Sequence, residues 1–249
     1  MTLSNQKRQA IIDALINELG VDMYLHKFSV DRFAKGQGIS RQSVYRYLDT
    51  LIKNGDVQKN TTTSNGDIRN AYQIRNTSYK LCYPIASLAE DVVWNQDIRP
   101  IICDIPDQAL RICNYTFSEM LNNAIDHSEG TRVEIDLIVN AFRISFRIWD
   151  DGVGLFSKIA SAMSLAEKRF AVLELAKGKF TTAPEIHSGE GIFFSAKAAD
   201  VFAIHSDDIS FSTSVFDDSK KNHFCIKEDW APGGTTVYFD VFCHSKKQL

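Results

Sequence analysis

Two runs of alternating apolar and polar residues, separated by only a few positions, constrain the fold of this chain most strongly. Such alternation is typical of β-strands that bury one side. The runs are TRVEIDLIV and FRISFRIWD, joined at Asn140-Ala141, and each gathers its apolar residues on one face: Val133, Ile135 and Leu137, then Ile144, Phe146 and Ile148. The sequence therefore predicts two half-buried strands over residues 131–150.

Glycines follow these strands at spacings that favour a binding site. The second strand ends in DDGVG, a carboxylate followed by Gly152 and Gly154, which leaves a backbone that a planar ring can approach closely. Downstream, Gly189 and Gly191 precede a helical run over residues 192–199. Backbone N–H groups exposed at a helix N-terminus form a ready anion site. A last glycine turn, in APGGTTVYFDVF, leads into a final strand.

The helix EMLNNAIDHS carries polar residues that a helix interior does not favour. Met120, Leu121, Ala124 and Ile125 give it an apolar face, but it also contains two asparagines, an aspartate and a histidine. Asn and Asp side chains compete for backbone hydrogen bonds within a helix. Their presence in mid-helix indicates a site.

The order of these motifs resembles the GHKL ATPase family, which includes gyrase B, MutL, ninety-kilodalton heat-shock chaperones, sensor histidine kinases and anti-sigma-factor serine kinases. A helix with Glu-x-x-x-Asn precedes strand–Asp-x-Gly-x-Gly, then Gly-x-Gly–helix and Gly-Thr–strand, over about residues 107–242. Each motif alone is also found in unrelated turns. The resemblance implies an α/β fold of the Bergerat type, an α+β two-layer sandwich with a mixed sheet and helices on one face.

The resemblance also implies ATP and Mg²⁺ as ligands, and roles for residues of the polar helix. Asn123 matches the asparagine that coordinates Mg²⁺, and Glu119, one turn earlier, matches the general base that orients a water or a hydroxyl. Asp126 is placed beside the nucleotide. With His127, the motif NNAIDHS is most similar to those of anti-sigma serine kinases and sensor kinases. His127 and Asn122 are equally consistent with a position on the helix surface or with a supporting role.

The strand-end motifs match the base-binding part of the family's site. Asp150 matches the carboxylate that accepts from the adenine amino group, and Gly152 and Gly154 make room for the base. Thr235 matches the threonine that supports this aspartate.

The remaining matches belong to the phosphate-binding part. Gly189 and Gly191 match glycines whose amides contact phosphate, and residues 155–188 match the ATP lid. Lys179 lies in this lid and would reach phosphates on closure. The alternative is that Lys179 is an ordinary solvated lysine.

The pattern of the first 75 residues predicts a separate domain, different from the one that carries the glycine motifs. Ser29 and Ser40 are typical helix N-caps, and Gly55 is a typical helix end. The helix between Ser40 and Gly55 has an apolar face with Val44, Leu48, Leu51 and Ile52. Its other face carries Arg41, Gln42, Tyr45 and Arg46, donors of the kind that a reading helix presents to the major groove.

A hairpin is predicted after this helix, around the turn Asn65-Gly66. Residues 1–75 therefore resemble a winged helix-turn-helix domain and imply DNA as a partner. They carry 11 basic and 7 acidic residues, a net +4, against 17 and 24, a net −7, in the rest of the chain. The alternative is that the helix face is simply solvated and that the winged helix contacts protein.

The remaining features set the domain plan and the cellular context. Residues 76–106 are predicted to be a structured helical connector between the winged helix and a domain over residues 107–249. Five scattered cysteines without C-x-x-C spacing indicate neither a zinc site nor disulfides. No apolar run is long enough for a membrane span and no secretion signal is visible, so we expect a cytoplasmic protein without membrane contact.

Two functions fit these motifs. The first is a DNA-binding bacterial regulator in which Mg²⁺·ATP binding or slow hydrolysis controls the winged helix. The second is a serine/threonine kinase of the anti-sigma type, acting on a STAS-like partner on a separate polypeptide. A homodimer suits both. A third reading is a degenerate pocket that binds nucleotide only for folding or dimerisation.

Overall fold

A computed structural model describes residues 3–64, 67–176, 191–216, 223–226, 233–245 and 247. The chain divides into two compact units. Unit 1 is Met1–Thr77 with Asn140–Arg143, and unit 2 is Ser78–Val139 with Ile144–Leu249. The first boundary lies close to residue 75, where the sequence motifs ended the N-terminal domain.

Unit 1 contains three helices and a two-stranded antiparallel sheet within its described residues: α1 Leu3–Leu25, α2 Val30–Gln37, α3 Arg41–Asn54, β1 Val57–Ser64 and β2 Asp67–Ile74. The strands pair from Val57↔Ile74 to Ser64↔Asp67. This register makes the pair a hairpin, as the sequence predicted. The turn residues 65 and 66 lie outside the described residues.

The caps of α3 explain where this helix begins and ends. The Ser40 side chain accepts a hydrogen bond from the Ser43 backbone N–H at 3.1 Å. At the other end, Gly55 has a φ of 87°, a left-handed conformation that favours glycine. Val44, Leu48 and Leu51 are buried, as the helical spacing predicted, and Ile52 is half-buried.

Unit 2 pairs a sheet with helices. Its strands, as far as the chain is described, form one seven-stranded sheet in the order β3-β4-β5-β9-β6-β7-β8. The strands are β3 Thr77–Pro84, β4 Arg132–Val139, β5 Arg143–Asp150, β6 Val201–Ser206, β7 Ile209–Ser214, β8 His223–Ile226 and β9 Thr235–Phe242. The helices are α4 Glu90–Val93, which continues as a π-helical turn Trp94–Ile98, then α5 Asp107–His127, α6 Leu155–Ala162, α7 Arg169–Ala176 and α8 Gly191–Ala198.

The alternation of β4 and β5 sorts their side chains between core and solvent. All six apolar residues predicted for the inner face are buried, at 0–2% exposure. Phe146 stacks on Phe239 of β9 at a centroid distance of 4.7 Å, and α5 adds Phe117 at 5.5 Å from Phe146. The intervening positions are polar: Arg147 pairs with Asp136 at 2.6 Å. Helices α5 and α8 pack on the buried side, so unit 2 is an α+β sandwich.

The expected mixed sheet is corrected to an antiparallel one. The pairs β4–β5, β6–β7, β6–β9 and β7–β8 are all antiparallel. The pairs β4–β5 and β6–β7 are consecutive strands joined by short turns, which is the connection that antiparallel pairing permits. Where β5 meets β9, the end of one strand lies beside the start of the other, since the Thr235 backbone N–H reaches Asp150.

Two further segments differ from expectation. Residues 76–106 are not a purely helical connector, because they contain β3, an edge strand of the unit 2 sheet, and nearly all of them belong to that unit. The expected lid over residues 155–188 begins with α6, whose Phe156 and Ile159 are buried in the core. The first part of that segment is therefore framework. None of the helices in the described ranges is long and apolar enough to cross a bilayer.

Candidate functional site

A cleft in unit 2 lies between α5, the end of β5, the start of α6 and the start of β9. Four residues that the sequence predicted for one site line it together: Asn123, Asp150, Gly154 and Thr235. The rest of its lining is largely apolar and comprises Met120, Ala124, His127, Ser128, Ile148, Leu155, Lys158, Ile192, Ile204 and Val237. An apolar cleft with a few convergent polar groups is the usual form of a small-molecule site.

Asp150 ends β5 as a buried acceptor, with only 5% of its surface exposed. Its Oδ1 accepts hydrogen bonds from the backbone N–H groups of Gly152, at 3.0 Å, and Thr235, at 3.3 Å. Burial raises the pKa of Asp150 to about 6, and the two amides oppose part of that rise. The two amides hold Oδ1, so the hydrogen bonds fix the orientation of the carboxylate at the cleft.

Thr235 connects the aspartate to the next helix. Its backbone N–H donates to Asp150, and its Oγ1 accepts from the Leu155 backbone N–H at 2.9 Å. Leu155 is the first residue of α6. A helix leaves its first N–H groups without helical partners, so Thr235 satisfies one of them and fixes the start of α6 beside the cleft.

The glycines of the DDGVG segment serve different purposes. A Cβ at Gly152 would lie 2.1 Å from the backbone oxygen of Ser128, so this glycine permits a close approach of two backbones. Gly152 is absent from the residues that line the cleft, whereas Gly154 lines it. Gly154 has a φ of 86° and precedes α6. Of the two glycines expected to make room for a base, Gly154 is the one at the cleft.

Helix α5 places Asn123 and Glu119 one turn apart. Asn123 lines the cleft, while half-buried Glu119 lies against the first residue of α8: a Cβ at Gly191 would sit 2.0 Å from Glu119 Oε2. Two predicted site residues from distant parts of the sequence, Glu119 and Gly191, therefore meet. A carboxylate is favourable at this helix end, where the dipole is positive.

Besides Gly152, three predicted residues in the described part of the chain, Glu119, Asp126 and Gly191, are not among those that line the cleft, and two more are not described. Asp126 is exposed on α5 and is not among the lining residues. Lys179 and Gly189 lie outside the described residues.

Lys158 is a lining residue that sequence reasoning missed. It belongs to the first turn of α6, and its Nζ donates to the backbone oxygen of His127 at 2.6 Å and to Glu129 Oε1 at 2.9 Å. The signal was present, because Lys158 follows Gly154 by one helical turn. It went unused because α6 itself was not predicted.

Asp151, the neighbour of Asp150, stabilises a turn. Its carboxylate accepts from the Thr131 hydroxyl at 2.7 Å and from the backbone N–H groups of Thr131 and Arg132 at 2.6 and 3.0 Å. These hydrogen bonds, the Thr131 hydroxyl first, lower the pKa of Asp151 to about 2. The two adjacent aspartates thus have opposite environments, and only Asp150 faces the cleft.

Unit 1 presents the four residues predicted for DNA contact on one exposed side of α3: Arg41, Gln42, Tyr45 and Arg46. Arg41 Nε pairs with Asp31 at 3.0 Å, and Arg46 donates to Ser43 Oγ at 2.9 Å. A side-chain hydrogen bond with Tyr45 and the charge of Asp31 raise the pKa of Arg41. The two guanidinium groups are held on the surface by neighbouring side chains.

The described residues contain no group of three or more His, Cys, Asp or Glu side chains arranged for a metal ion. Asn123 is the amide at the cleft that fits a hard cation. Bound there by one amide, Mg²⁺ would take its remaining oxygen ligands from water or from a bound ligand.

No protein-family model matches the chain, and no curated protein matches it significantly.

Proposed function

We propose that the cleft of unit 2 binds Mg²⁺·ATP. The observation that carries the proposal is that Asp150, Asn123 and Thr235, chosen from the GHKL-like order of motifs, line a single cleft although they come from three separate elements. A buried carboxylate at one position and an amide on a helix at another suit a ligand with a base and a phosphate chain.

In this proposal, Asp150 Oδ2 accepts a hydrogen bond from the adenine amino group, while the amides of Gly152 and Thr235 hold Oδ1 in place. Asn123 coordinates Mg²⁺, which neutralises phosphate charge when bound. Glu119, beside Gly191, orients a water or a hydroxyl toward the terminal phosphate. Buried hydrogen-bonding groups discriminate strongly, because a ligand without the amino group leaves the carboxylate unpaired.

Calorimetry with Mg²⁺·ATP tests this proposal. Asp150→Asn replaces the acceptor of a charge-assisted hydrogen bond, so we expect the affinity to fall by about 10- to 100-fold. Asp136→Asn, on the opposite face of the sheet, is the matched control and should bind as the wild type does. Equal binding by wild type and Asp150→Asn would reject the base-binding role of Asp150.

Unit 1 is the DNA-binding part of the proposed regulator. Its support is the exposed face of α3, with Arg41, Gln42, Tyr45 and Arg46, and the net charge of +4 over residues 1–75. In this reading α3 enters the major groove, the β1–β2 hairpin is the wing, and a homodimer reads two half-sites. Nucleotide binding in unit 2 changes the affinity of unit 1 for DNA.

The runner-up function is a serine/threonine kinase acting on a STAS-like protein. The observation that favours it is the position of Glu119, a half-buried carboxylate one turn from Asn123 and beside α8. Radiolabelled γ-phosphate should then move to a serine or threonine of the partner, and Glu119→Ala should abolish the transfer. An ATP-dependent shift in DNA binding without any transfer would decide for the regulator.

A further inference from the structure

The cleft contains one cation whose position suits an anionic ligand. Among the described residues that line it, Lys158 is the only lysine or arginine. Its side chain is 23% exposed, and Lys158 is anchored by the first turn of α6, where its backbone N–H donates to the Gly154 oxygen at 3.1 Å. The helix fixes the backbone of Lys158 beside the cleft, and the ammonium group is held by the His127 oxygen and Glu129.

The charges around the cleft disfavour a phosphate-bearing ligand unless a cation offsets them. Asp150 is a lining carboxylate, and Glu119 lies beside Gly191 at the adjacent end of α8. A polyphosphate would be repelled by both carboxylates, and one Mg²⁺ offsets only part of its charge. Among the described lining residues, Lys158 is the cationic side chain that can reduce this repulsion.

One of the two partners of Lys158, the Glu129 carboxylate, is easily replaced. Nζ pairs with Glu129 at 2.9 Å, but the Glu129 side chain is 64% exposed. Exposed ion pairs are weak, because water screens them and two long side chains lose freedom. A polyphosphate carries several negative charges, each able to accept a charge-assisted hydrogen bond from the ammonium group.

From these observations we infer that Lys158 binds the phosphate groups of the nucleotide, and that Glu129 competes with them for the same ammonium group. This inference rests on the proposed function, since it assigns a further binding residue to the same cleft. Through Lys158, the cleft would bind phosphorylated ligands more tightly than the nucleoside.

A purely structural role makes a different prediction. Lys158 also donates to the His127 oxygen, at the C-terminal end of α5, where lysines commonly satisfy the last carbonyls of a helix. If capping were its only role, removing the ammonium group would loosen the end of α5 and lower the affinity of the cleft for all of its ligands alike. If Lys158 binds phosphate, the substitution weakens the binding of phosphorylated ligands selectively.

Calorimetry on the full chain with Mg²⁺·ATP, Mg²⁺·ADP and adenosine separates these roles. Lys158→Met should lower the affinity for ATP by about tenfold or more and leave that for adenosine within about twofold. Lys158→Arg should retain most of the ATP affinity. Lys80→Met is the matched control, because Lys80 also pairs with a carboxylate, Asp136 at 4.0 Å, but does not line the cleft.

Glu129→Gln tests the competition without touching the lysine. It should raise the affinity for ATP by about two- to fivefold and leave adenosine unchanged, even if Lys158→Met fails to fold. Equal weakening of ATP and adenosine by Lys158→Met, no effect of it on ATP, or no gain with Glu129→Gln would overturn the inference. If the wild type binds neither ATP nor adenosine, the proposed function is overturned, and the inference with it.

Discussion

Asp150 and Asp151 are chain neighbours with opposite acid–base behaviour. Asp151 is held ionised by hydrogen bonds from Thr131 and Arg132, whereas burial favours the protonated form of Asp150. The proposed ligand needs Asp150 ionised, because only the carboxylate presents a free acceptor to an amino group. Above its pKa of about 6, Asp150 is mostly ionised despite its burial.

The stability of unit 2 should reflect this charge. The pKa of Asp150 is raised from 3.8 to about 6, so the folded state holds the proton more tightly than the unfolded state does. Ionisation then lowers the free energy of unfolding as pH rises from about 4 to about 6, by about 3 kcal/mol at most. We expect Asp150→Asn, which keeps an oxygen for the amides of Gly152 and Thr235, to be more stable than wild type above pH 6.

Urea unfolding at a series of pH values measures this effect. Trp94 and Trp149 are buried in unit 2, so their fluorescence reports its unfolding. The advantage of Asp150→Asn should shrink toward zero near pH 4. An Asp150→Asn variant that is less stable than wild type at pH 7 would contradict the conclusion that burying the ionised Asp150 carboxylate destabilises unit 2.

At the scale of elements, the junction between β5 and β9 depends on a glycine. Gly234 has a φ of +88°, and a Cβ there would lie 1.8 Å from the backbone oxygen of Asp150. Backbone cannot move aside as a flexible side chain can. We expect Gly234→Ala to destabilise unit 2 by about 1–3 kcal/mol, measured by urea unfolding followed by tryptophan fluorescence.

Gly233→Ala is the matched control for this prediction. Gly233 also has a positive φ, +33°, but a Cβ there would meet only the Gly152 oxygen at 4.0 Å. A similar loss for both variants would mean that backbone conformation, and not the close approach to Asp150, sets the cost.

Helix α3 carries the prediction for DNA. Arg46→Ala removes an exposed guanidinium at the proposed reading face, so we expect affinity for a specific site to fall by about 1–3 kcal/mol. Fluorescence anisotropy with a selected DNA duplex measures it. Lys53→Ala, at the exposed C-terminal end of the same helix, controls for a general loss of charge. Equal effects of the two substitutions would reject α3 as the reading helix.

The elements differ in how well the sequence predicted them. Local rules were sufficient for α3, because Ser40 and Gly55 mark its ends, and for β4 and β5, because alternation marks their buried face. Helix α6 was missed since it follows Gly154 without a side-chain cap. Strand β3 was missed since most of its residues are exposed, which leaves no clear alternation.

The residues of the site also differ in how well the sequence predicted them. Asp150, Asn123, Gly154 and Thr235 could be predicted together because the order of their motifs resembles that of the GHKL family. Lys158 could not, since its place at the cleft depends on the orientation of α6. The antiparallel sheet likewise depends on strand pairings between distant parts of the sequence, which local patterns do not specify.

At the scale of the whole molecule, the proposed regulator requires coupling between its two units. If Mg²⁺·ATP changes the affinity for DNA by some factor, DNA must change the affinity for Mg²⁺·ATP by the same factor. We expect a factor of about 5 to 150, the usual range for coupled sites. Anisotropy titrations of DNA with and without nucleotide, and calorimetry of nucleotide with and without DNA, measure both sides. Identical DNA affinities in the two conditions would exclude this form of regulation.

We propose that the cleft of unit 2 holds an adenine nucleotide, with Asp150 at the base and Asn123 at the metal. A crystal structure of the chain with Mg²⁺ and a non-hydrolysable ATP analogue tests it most directly. We predict the adenine amino group within hydrogen-bonding distance of Asp150 and Mg²⁺ bound by the Asn123 side-chain oxygen. A nucleotide bound elsewhere, or one whose base lies away from Asp150, would contradict the account.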